Sequence, residues 1–170
     1  QGPVVAAIHA STVHVWQITA WATFRRRDRE PAPVLAKPAP AGSGRAAFVF
    51  RDNFRHRREI ERSYLRMLGE ARTEVLLANA YFLPGRKLQR ALVQAAQRGV
   101  RVLLLLQGTT DHWLLRYCTH TLYERLLGFG VDIAEYRIAM LHAKVCVADR
   151  RLATVGSSNL DPFSLLLARE

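Results

Sequence analysis

Residues able to do chemistry are concentrated near the end of the chain, where His142, Lys144 and Asp149 are followed by Gly-Ser-Ser-Asn at 156–159. Residues two apart on an extended strand project from the same face, so the spacing predicts that His142 and Lys144 lie side by side. A neutral imidazole can attack phosphorus, while an ammonium group with hydroxyl and amide donors binds the negative phosphoryl oxygens. The pattern therefore predicts nucleophilic attack on a phosphodiester, a reaction that needs no metal or other cofactor.

The lysine at position 144 supports this interpretation. Of the 25 lysines and arginines, only Lys37, Lys87 and Lys144 are lysines, so a merely solvated cation here would more often be arginine. A compact ammonium group binds phosphate as a point charge. The alternative, a polar strand with a structural histidine, explains a lone His but not the whole pattern.

The same residues resemble the phospholipase D superfamily, whose signature is His-x-Lys-x4-Asp-x6-Gly-Ser-x-Asn. Each specified position of that signature is matched, by His142, Lys144, Asp149, Gly156, Ser157 and Asn159. The flanking segments, among them 78–85 and 155–162, resemble the second catalytic half of bacterial cardiolipin synthases. The resemblance covers residues 46–170, and residues 2–20 are similar, more loosely, to the helix that closes the first half.

The resemblance also implies what the site residues do. His142 is expected to be the nucleophile that takes a phosphatidyl group as a phosphohistidine, and Glu170 is expected to accept a hydrogen bond from its other ring N–H. The family's asparagine near this glutamate is replaced by Ala168. The expected phosphate-binding residues are Lys144, Gly156, Ser157, Ser158 and Asn159.

Three further candidates have structural alternatives. Asp149 belongs to the candidate catalytic set, but it falls at a predicted turn on the other face from His142, and in the family it is taken as structural support. Asn79 and Tyr81 end a buried strand, where sheet enzymes place ligands, and they are expected either to contact a headgroup or simply to pack. The basic run 55–58 could attract lipid phosphate or form a solvated helix start.

Composition limits the class of protein. The chain has 170 residues, of which 49% are hydrophobic, so it is long enough for one folded domain and is not disordered throughout. Its net charge of +11 favours anionic partners, either acidic lipid headgroups or nucleic acid. Cys118 and Cys146 have no metal-type spacing, which favours two reduced thiols in a cytoplasmic setting.

Apolar runs and helical patterns alternate after residue 46, which predicts an α/β fold with a mainly parallel mixed sheet covered by helices on both faces. Strands are predicted at 47–50, 74–80, 100–107 and 131–136, followed by a hairpin turning at Asp149-Arg150, with helices at 53–71, 85–98 and 117–129. The Pro/Ala/Gly-rich residues 28–45 are predicted to be a linker. Residues 1–27 are predicted to be a helix resembling the end of a preceding domain, and 46–170 a C-terminally truncated catalytic domain.

The first helix could be mistaken for a membrane span. Residues 2–24 carry no Lys, Arg, Asp or Glu, and three arginines follow. Polar side chains interrupt the segment, however, while Val4, Ile8, Val15 and Ile18 fall at helical spacing. We therefore expect a packed or interfacial helix rather than a span.

The chain lacks one group that the chemistry requires. An acid must protonate the leaving alcohol. Superfamily enzymes supply this acid from a second copy of the motif. In this chain, however, no other histidine is followed two residues later by Lys. We therefore expect the second half-site to come from a longer chain, since this one begins with Gln and stops at Glu170, or otherwise from a homodimer. The isolated chain is expected to be inactive.

The resemblance implies a cardiolipin synthase-type phosphatidyltransferase with phosphatidylglycerol as substrate, bound peripherally at the cytoplasmic face of a bacterial inner membrane. The alternative is a single-motif phosphodiesterase or nuclease that acts as a homodimer. An aromatic stacking platform interleaved with basic residues would favour nucleic acid. None is evident in the sequence, so no nucleic acid partner is expected.

Overall fold

The structure, a computed structural model, describes residues 2–23, 42–52, 56–109 and 113–166, without the side chains of 113–116, 163 and 166. The predictions for Glu170, Ala168 and most of the linker therefore lie outside the described residues. The chain divides into two compact units, residues 1–49 and 50–170. The helices are α1 (Val4–Ala22), α2 (Glu59–Glu70), α3 (Arg86–Gln97), α4 (Trp113–Gly128) and α5 (Pro162–Leu166), and the strands are β1 (Glu74–Asn79), β2 (Arg101–Gln107), β3 (Val131–Tyr136), β4 (Lys144–Ala148) and β5 (Leu152–Val155).

The second unit is built on a five-stranded sheet of order β3-β2-β1-β4-β5. Strands β1, β2 and β3 are parallel, β4 is antiparallel to β1, and β5 is antiparallel to β4. The predicted α/β fold, a mixed sheet flanked by helices, is confirmed. Since β4 runs backwards, its first residue lies at the edge where β1–β3 end. We call this edge, where Asn79 pairs with Lys144 and Val145 pairs with Val155, the carboxyl edge.

Packing of apolar side chains fixes these elements. Strand β1 alternates partly buried and buried residues, and Val75 and Leu77 are almost completely buried with Leu104 of β2. Helix α2 presents Tyr64, Met67 and Leu68 to the same core, as its periodicity predicts. The core thereby holds the strand ends that carry the site in a rigid frame.

The predicted strand at 47–50 is wrong, since residues 44–50 have no regular secondary structure. Phe48 and Val49 remain 37% and 42% exposed, so this apolar run does not form a buried strand. Helix α2 begins at Glu59, after a turn at 57–58, whereas the sequence predicted a start at 53. Helix α4 begins at Trp113, four residues before the predicted start, and the short helix α5 was not predicted.

Helix α1 belongs to the first unit. None of its residues is fully buried, and Trp16 and Trp21 are 58% and 81% exposed. The hydroxyls of Thr12 and Thr19 donate to the carbonyls of Ile8 and Val15, one turn earlier. Within the described part of the chain, no helix is both long and apolar enough to cross a membrane.

Candidate functional site

The predicted His-Lys pair is formed at the carboxyl edge. Nζ of Lys144 lies 3.2 Å from Nε2 of His142 and 3.3 Å from the carbonyl oxygen of the same histidine. An ammonium group only donates, so Nε2 is the acceptor and the ring proton belongs on Nδ1. His142 is exposed in the loop before β4, whereas Lys144, the first residue of β4, is 7% exposed. The Nε2 lone pair and the buried positive charge are therefore in direct contact at the carboxyl edge.

Hydrogen bonds hold the loop 156–160 next to this pair. Gly156 N donates to the carbonyl of Lys144 at 3.1 Å, and the backbone of Leu160 is held on both sides. Its N–H donates to Oδ1 of Asn79 at 3.2 Å, and its carbonyl accepts from Leu83 N at 2.8 Å. The structure thus brings both ends of the loop that carries the predicted phosphate-binding residues to the carboxyl edge.

Within this loop the side chains differ in burial. Ser157 is exposed, Ser158 is 5% exposed, and Asn159 is partly buried, with a buried Oδ1 that accepts no hydrogen bond from the described residues. A buried amide oxygen leaves the NH₂ group of Asn159 as the end available to an anion. This orientation suits a donor to a phosphoryl oxygen.

Two side-chain amides at the carboxyl ends of central strands accept hydrogen bonds from the backbone segments that carry the site residues. Asn79 ends β1 and binds the N–H of Leu160, while Oε1 of Gln107, which ends β2, accepts from the N–H of Leu141, one residue before His142. The side chain of Asn79 is fully buried, so its position favours a positioning role over the headgroup contact predicted from sequence. Gln107 was missed, although a polar residue that ends an apolar strand was the same signal that identified Asn79.

Asp149 lies at the opposite end of β4 from the His-Lys pair. It forms the β4–β5 turn with Arg150, both at positive φ (52° and 54°), where the sequence predicts the turn of the hairpin. Its carboxylate accepts hydrogen bonds at 2.8–3.0 Å from the backbone N–H groups of Arg72, Thr73 and Glu74 and from the Thr73 hydroxyl. The structure does not bring Asp149 to His142, and this geometry supports the structural role.

These donors make the acid stability of the domain depend on Asp149. The backbone N–H groups of Thr73 and Glu74, followed by the Thr73 hydroxyl, hold the pKa of Asp149 well below its ordinary value of 3.8. Because the folded-state pKa is depressed, the stabilisation is fully present above pH 3.8 and is lost as the pH falls below it. We expect Asp149→Asn to lower the urea midpoint at neutral pH, and the difference from the native chain to shrink towards pH 2. Urea titrations followed by circular dichroism would measure this; a difference that does not change with pH would contradict it.

The remaining predicted residues lie around the same edge or outside the described residues. Tyr81 is partly buried, two residues beyond Asn79. His56 pairs with Asp52 through Nδ1 at 2.7 Å, and Arg57 and Arg58 are exposed at the start of α2. Arg55 and Glu170, the predicted ring partner of His142, lie outside the described residues.

No group of three or more His, Cys, Asp or Glu residues in the described ranges is arranged to hold a metal ion. Cys118 and Cys146 are free thiols. Burial raises the pKa of Cys146 to about 12, so this thiol stays neutral. It lies two residues after Lys144, on the same buried face of β4. The described site therefore consists of imidazole, ammonium, hydroxyl and amide groups.

This constellation agrees with the comparison to known families. The family described as "Cardiolipin synthase, PLD-like domain" matches residues 64–170. The chain belongs to this family. It is 50% identical over 129 residues to cardiolipin synthase B of Escherichia coli K12, covering 76% of this chain and 31% of that protein. It is 32% identical over 111 residues to minor cardiolipin synthase ClsB of Bacillus subtilis, covering 65% of this chain and 28% of that protein.

Solved structures with the same phospholipase D-like fold include Nuc from Salmonella typhimurium, a phospholipase D family member. The TM-score is 0.56 at 19% identity, covering 65% of this chain and 71% of that chain. NucT from Helicobacter pylori matches with a TM-score of 0.53 at 17% identity, covering 66% of this chain and 74% of that one. These likenesses show the fold of the domain. The chain therefore has a phospholipase D-like fold and spans under a third of the length of the curated cardiolipin synthases named above.

Proposed function

We propose that this chain supplies one of two half-sites of a phosphatidyltransferase of the cardiolipin synthase type. The observation that carries the proposal is the 3.2 Å approach of Lys144 Nζ to His142 Nε2, which joins a nucleophilic lone pair to a cation for the phosphoryl oxygens. Family membership gives the substrate class, because the relatives that match the chain are cardiolipin synthases.

The proposed first step transfers a phosphatidyl group to His142. The Nε2 lone pair attacks the phosphorus of phosphatidylglycerol, a P–N bond forms, and the P–O bond to the headgroup glycerol breaks. Glycerol leaves with a proton from a general acid. In the second step the general acid, now a base, takes the proton of a headgroup hydroxyl of another phosphatidylglycerol, whose oxygen attacks the same phosphorus as the P–N bond breaks. The products are cardiolipin and glycerol, and His142 is regenerated.

Charge stabilisation during both steps is assigned to Lys144 and the loop 156–160. The ammonium group now shared with Nε2 turns to a phosphoryl oxygen as the phosphorus arrives, because an anion is a better acceptor than a neutral imidazole. The NH₂ group of Asn159 and the hydroxyl of Ser157 complete the set of donors. Glu170 remains the predicted partner of the ring N–H.

The proton donor is proposed to come from a second motif-bearing half-site. The sequence carries one His-x-Lys pattern, and general acid catalysis of glycerol departure needs a second group of suitable pKa. That half-site would be contributed by the same longer chain or by a second copy. The proposed activity therefore belongs to the complete protein and not to this chain alone.

The experiment that tests the proposal uses phosphatidylglycerol labelled with ³²P. The complete protein should convert it to labelled cardiolipin and release glycerol in equal amount. Rapid quenching in base, which preserves phosphohistidine, should leave label on a peptide that contains His142. Absence of cardiolipin together with metal-independent cleavage of plasmid DNA would overturn the proposal in favour of the nuclease alternative.

The two strand-end amides should affect turnover more than substrate binding. Asn79→Leu leaves the buried Leu160 N–H without an acceptor, at a cost of about 1–3 kcal/mol in the free energy of unfolding. Displacement of the loop by an ångström should lower kcat by about 10–100-fold with little change in KM. Gln107→Leu should act similarly by releasing the N–H of Leu141.

Steady-state kinetics on both variants would measure these effects. Gln94→Leu makes the same change on the exposed face of α3 and should leave kcat unchanged. A rise in KM with constant kcat for Asn79→Leu would instead indicate the direct headgroup contact predicted from the sequence.

A further inference from the structure

Two side-chain amides at the carboxyl edge each have one buried end that makes no hydrogen bond within the described residues. These ends are Nδ2 of Asn79, which is a donor, and Oδ1 of Asn159, which is an acceptor. The side chain of Asn79 is completely buried, and Asn159 is partly buried. A buried polar atom without a partner costs free energy and is uncommon in folded proteins. The two atoms are complementary, so each could satisfy the other.

The fold brings these two amides next to each other. Oδ1 of Asn79 accepts a hydrogen bond from the backbone N–H of Leu160 at 3.2 Å. Asn159 is the preceding residue, so its Cα atom lies about 3.8 Å from that of Leu160. The NH₂ group of Asn79 belongs to the same planar carboxamide as Oδ1 and therefore lies beside the same loop.

The bond to Leu160 fixes the direction in which the Asn79 amide points. A backbone N–H only donates, so the oxygen of Asn79 must face Leu160 and its NH₂ group must face the other way. Lys144 is paired directly with Asn79 across β1 and β4, and both side chains are buried on the same face of the sheet. The ammonium group of Lys144 is a donor too and cannot satisfy the NH₂ group. The adjacent buried acceptor is Oδ1 of Asn159.

We propose that Asn79 is a positioning residue whose NH₂ group holds Oδ1 of Asn159, directly or through one water, and thereby aims the NH₂ group of Asn159 at the substrate phosphate. The identity of that anion rests on the proposed function. The last side-chain torsion of asparagine is soft, so the carboxamide of Asn159 can turn into this bond while the loop backbone stays in place. In the reverse orientation the oxygen of Asn159 would face the phosphoryl oxygens and repel them.

A chain of hydrogen bonds then connects the backbone to the substrate. Leu160 N–H orients Asn79, Asn79 orients Asn159, and Asn159 donates to a phosphoryl oxygen. Hydrogen bonds in series strengthen one another in a buried setting, and a donor that is oriented before the reaction stabilises developing charge without reorganisation. Asn79 thus acts in two ways, on the position of the loop through Leu160 and on the orientation of the donor through Asn159.

A double-mutant cycle on the complete protein tests the second action. Turnover of labelled phosphatidylglycerol is compared for Asn79→Leu, Asn159→Leu and the double variant. We expect Asn159→Leu to lower kcat by about 10²–10³-fold, because one oriented donor is lost. Asn79→Leu should lower kcat by about 10–100-fold in the native background but by less than about threefold in the Asn159→Leu background, where the donor that it orients is already absent. KM should change little throughout.

Gln107→Leu is the matched control for this cycle. It removes an amide from the end of the neighbouring strand, but Gln107 accepts from Leu141 and not from the loop 156–160. Its effect on kcat should therefore be the same with and without Asn159→Leu. An equal loss for Asn79→Leu in both backgrounds would overturn the inference, because Asn79 would then act through the backbone of Leu160 alone.

A crystal structure of the native complete protein with orthovanadate, an analogue of phosphate, gives a test that needs no variant and no turnover. We expect Oδ1 of Asn159 to lie within about 3.2 Å of Nδ2 of Asn79 or of one ordered water bound to it, with the NH₂ group of Asn159 on the vanadate. An Asn159 amide that is held by other groups would overturn the inference. The expected contacts in a protein that forms no cardiolipin would refute the proposed function and leave this inference standing.

Discussion

Replacing His142 by alanine is expected to abolish phosphatidyl transfer, with a loss of about 10⁴-fold or more in kcat. The variant lacks the nitrogen atom that forms the P–N bond. Attack by water in place of His142 would hydrolyse the lipid and would not transfer its phosphatidyl group to a second lipid. Fold and lipid binding should be retained, since His142 is exposed and its side chain supports no core contact. Conversion of labelled phosphatidylglycerol measures turnover. Quenching in base followed by peptide mapping measures the phosphohistidine adduct.

The matched control is His120→Gln. His120 belongs to the same domain, stacks on Tyr123 and pairs with Glu135 at 3.1 Å. Its replacement should change kcat by less than about twofold, because a residue away from the reacting atoms acts only through stability. A His142→Ala variant that still forms cardiolipin at more than a hundredth of the native rate would refute the assignment of the nucleophile.

Replacing Lys144 by methionine is expected to lower kcat by about 10²–10³-fold, as does the loss of one preorganised donor to an oxyanion. Methionine keeps the length of the side chain, so the buried position at the start of β4 stays filled and only the charge is lost. The effect should fall on kcat rather than on KM, because charge on the phosphoryl oxygens is best matched when phosphorus is being attacked.

Arginine should not rescue this position. The planar guanidinium is larger than an ammonium group, and Lys144 is only 7% exposed, so Lys144→Arg is expected to recover less than about a tenth of the lost activity. Lys87→Gln, at the start of α3, is the control and should leave turnover of monomeric substrate unchanged. Full activity of Lys144→Arg would show that only charge at this position matters.

The His-Lys pair and the rigid sheet explain why these two effects should be the largest. Nζ and Nε2 are 3.2 Å apart on a strand start that is hydrogen-bonded to β1 on one side and β5 on the other. The groups are therefore positioned before substrate arrives, and little conformational entropy remains to be lost during reaction. Asn79 and Gln107 contribute indirectly, through the two backbone segments that they hold.

Local sequence rules were sufficient for most of the fold. Apolar runs of strand length separated by amphipathic helices predicted β1, β2, β3 and α3 within one or two residues, because these elements bury faces whose periodicity is visible in one window. The same rules failed at 47–50, where an apolar run resembles a strand but has no regular secondary structure. Strand formation is decided by a partner that lies elsewhere in the sequence.

The sequence by itself determined the chemical groups of the site, since His142, Lys144 and the loop 156–159 follow each other closely and the first two are only two residues apart. Only the tertiary structure decided what joins them. The roles of Asn79 and Gln107 depend on hydrogen bonds to residues 81 and 34 positions away, and the Asp149 carboxylate binds backbone 75–77 positions earlier. Such contacts follow from strand order and register, which are set by packing of the whole core and are not encoded in any local spacing.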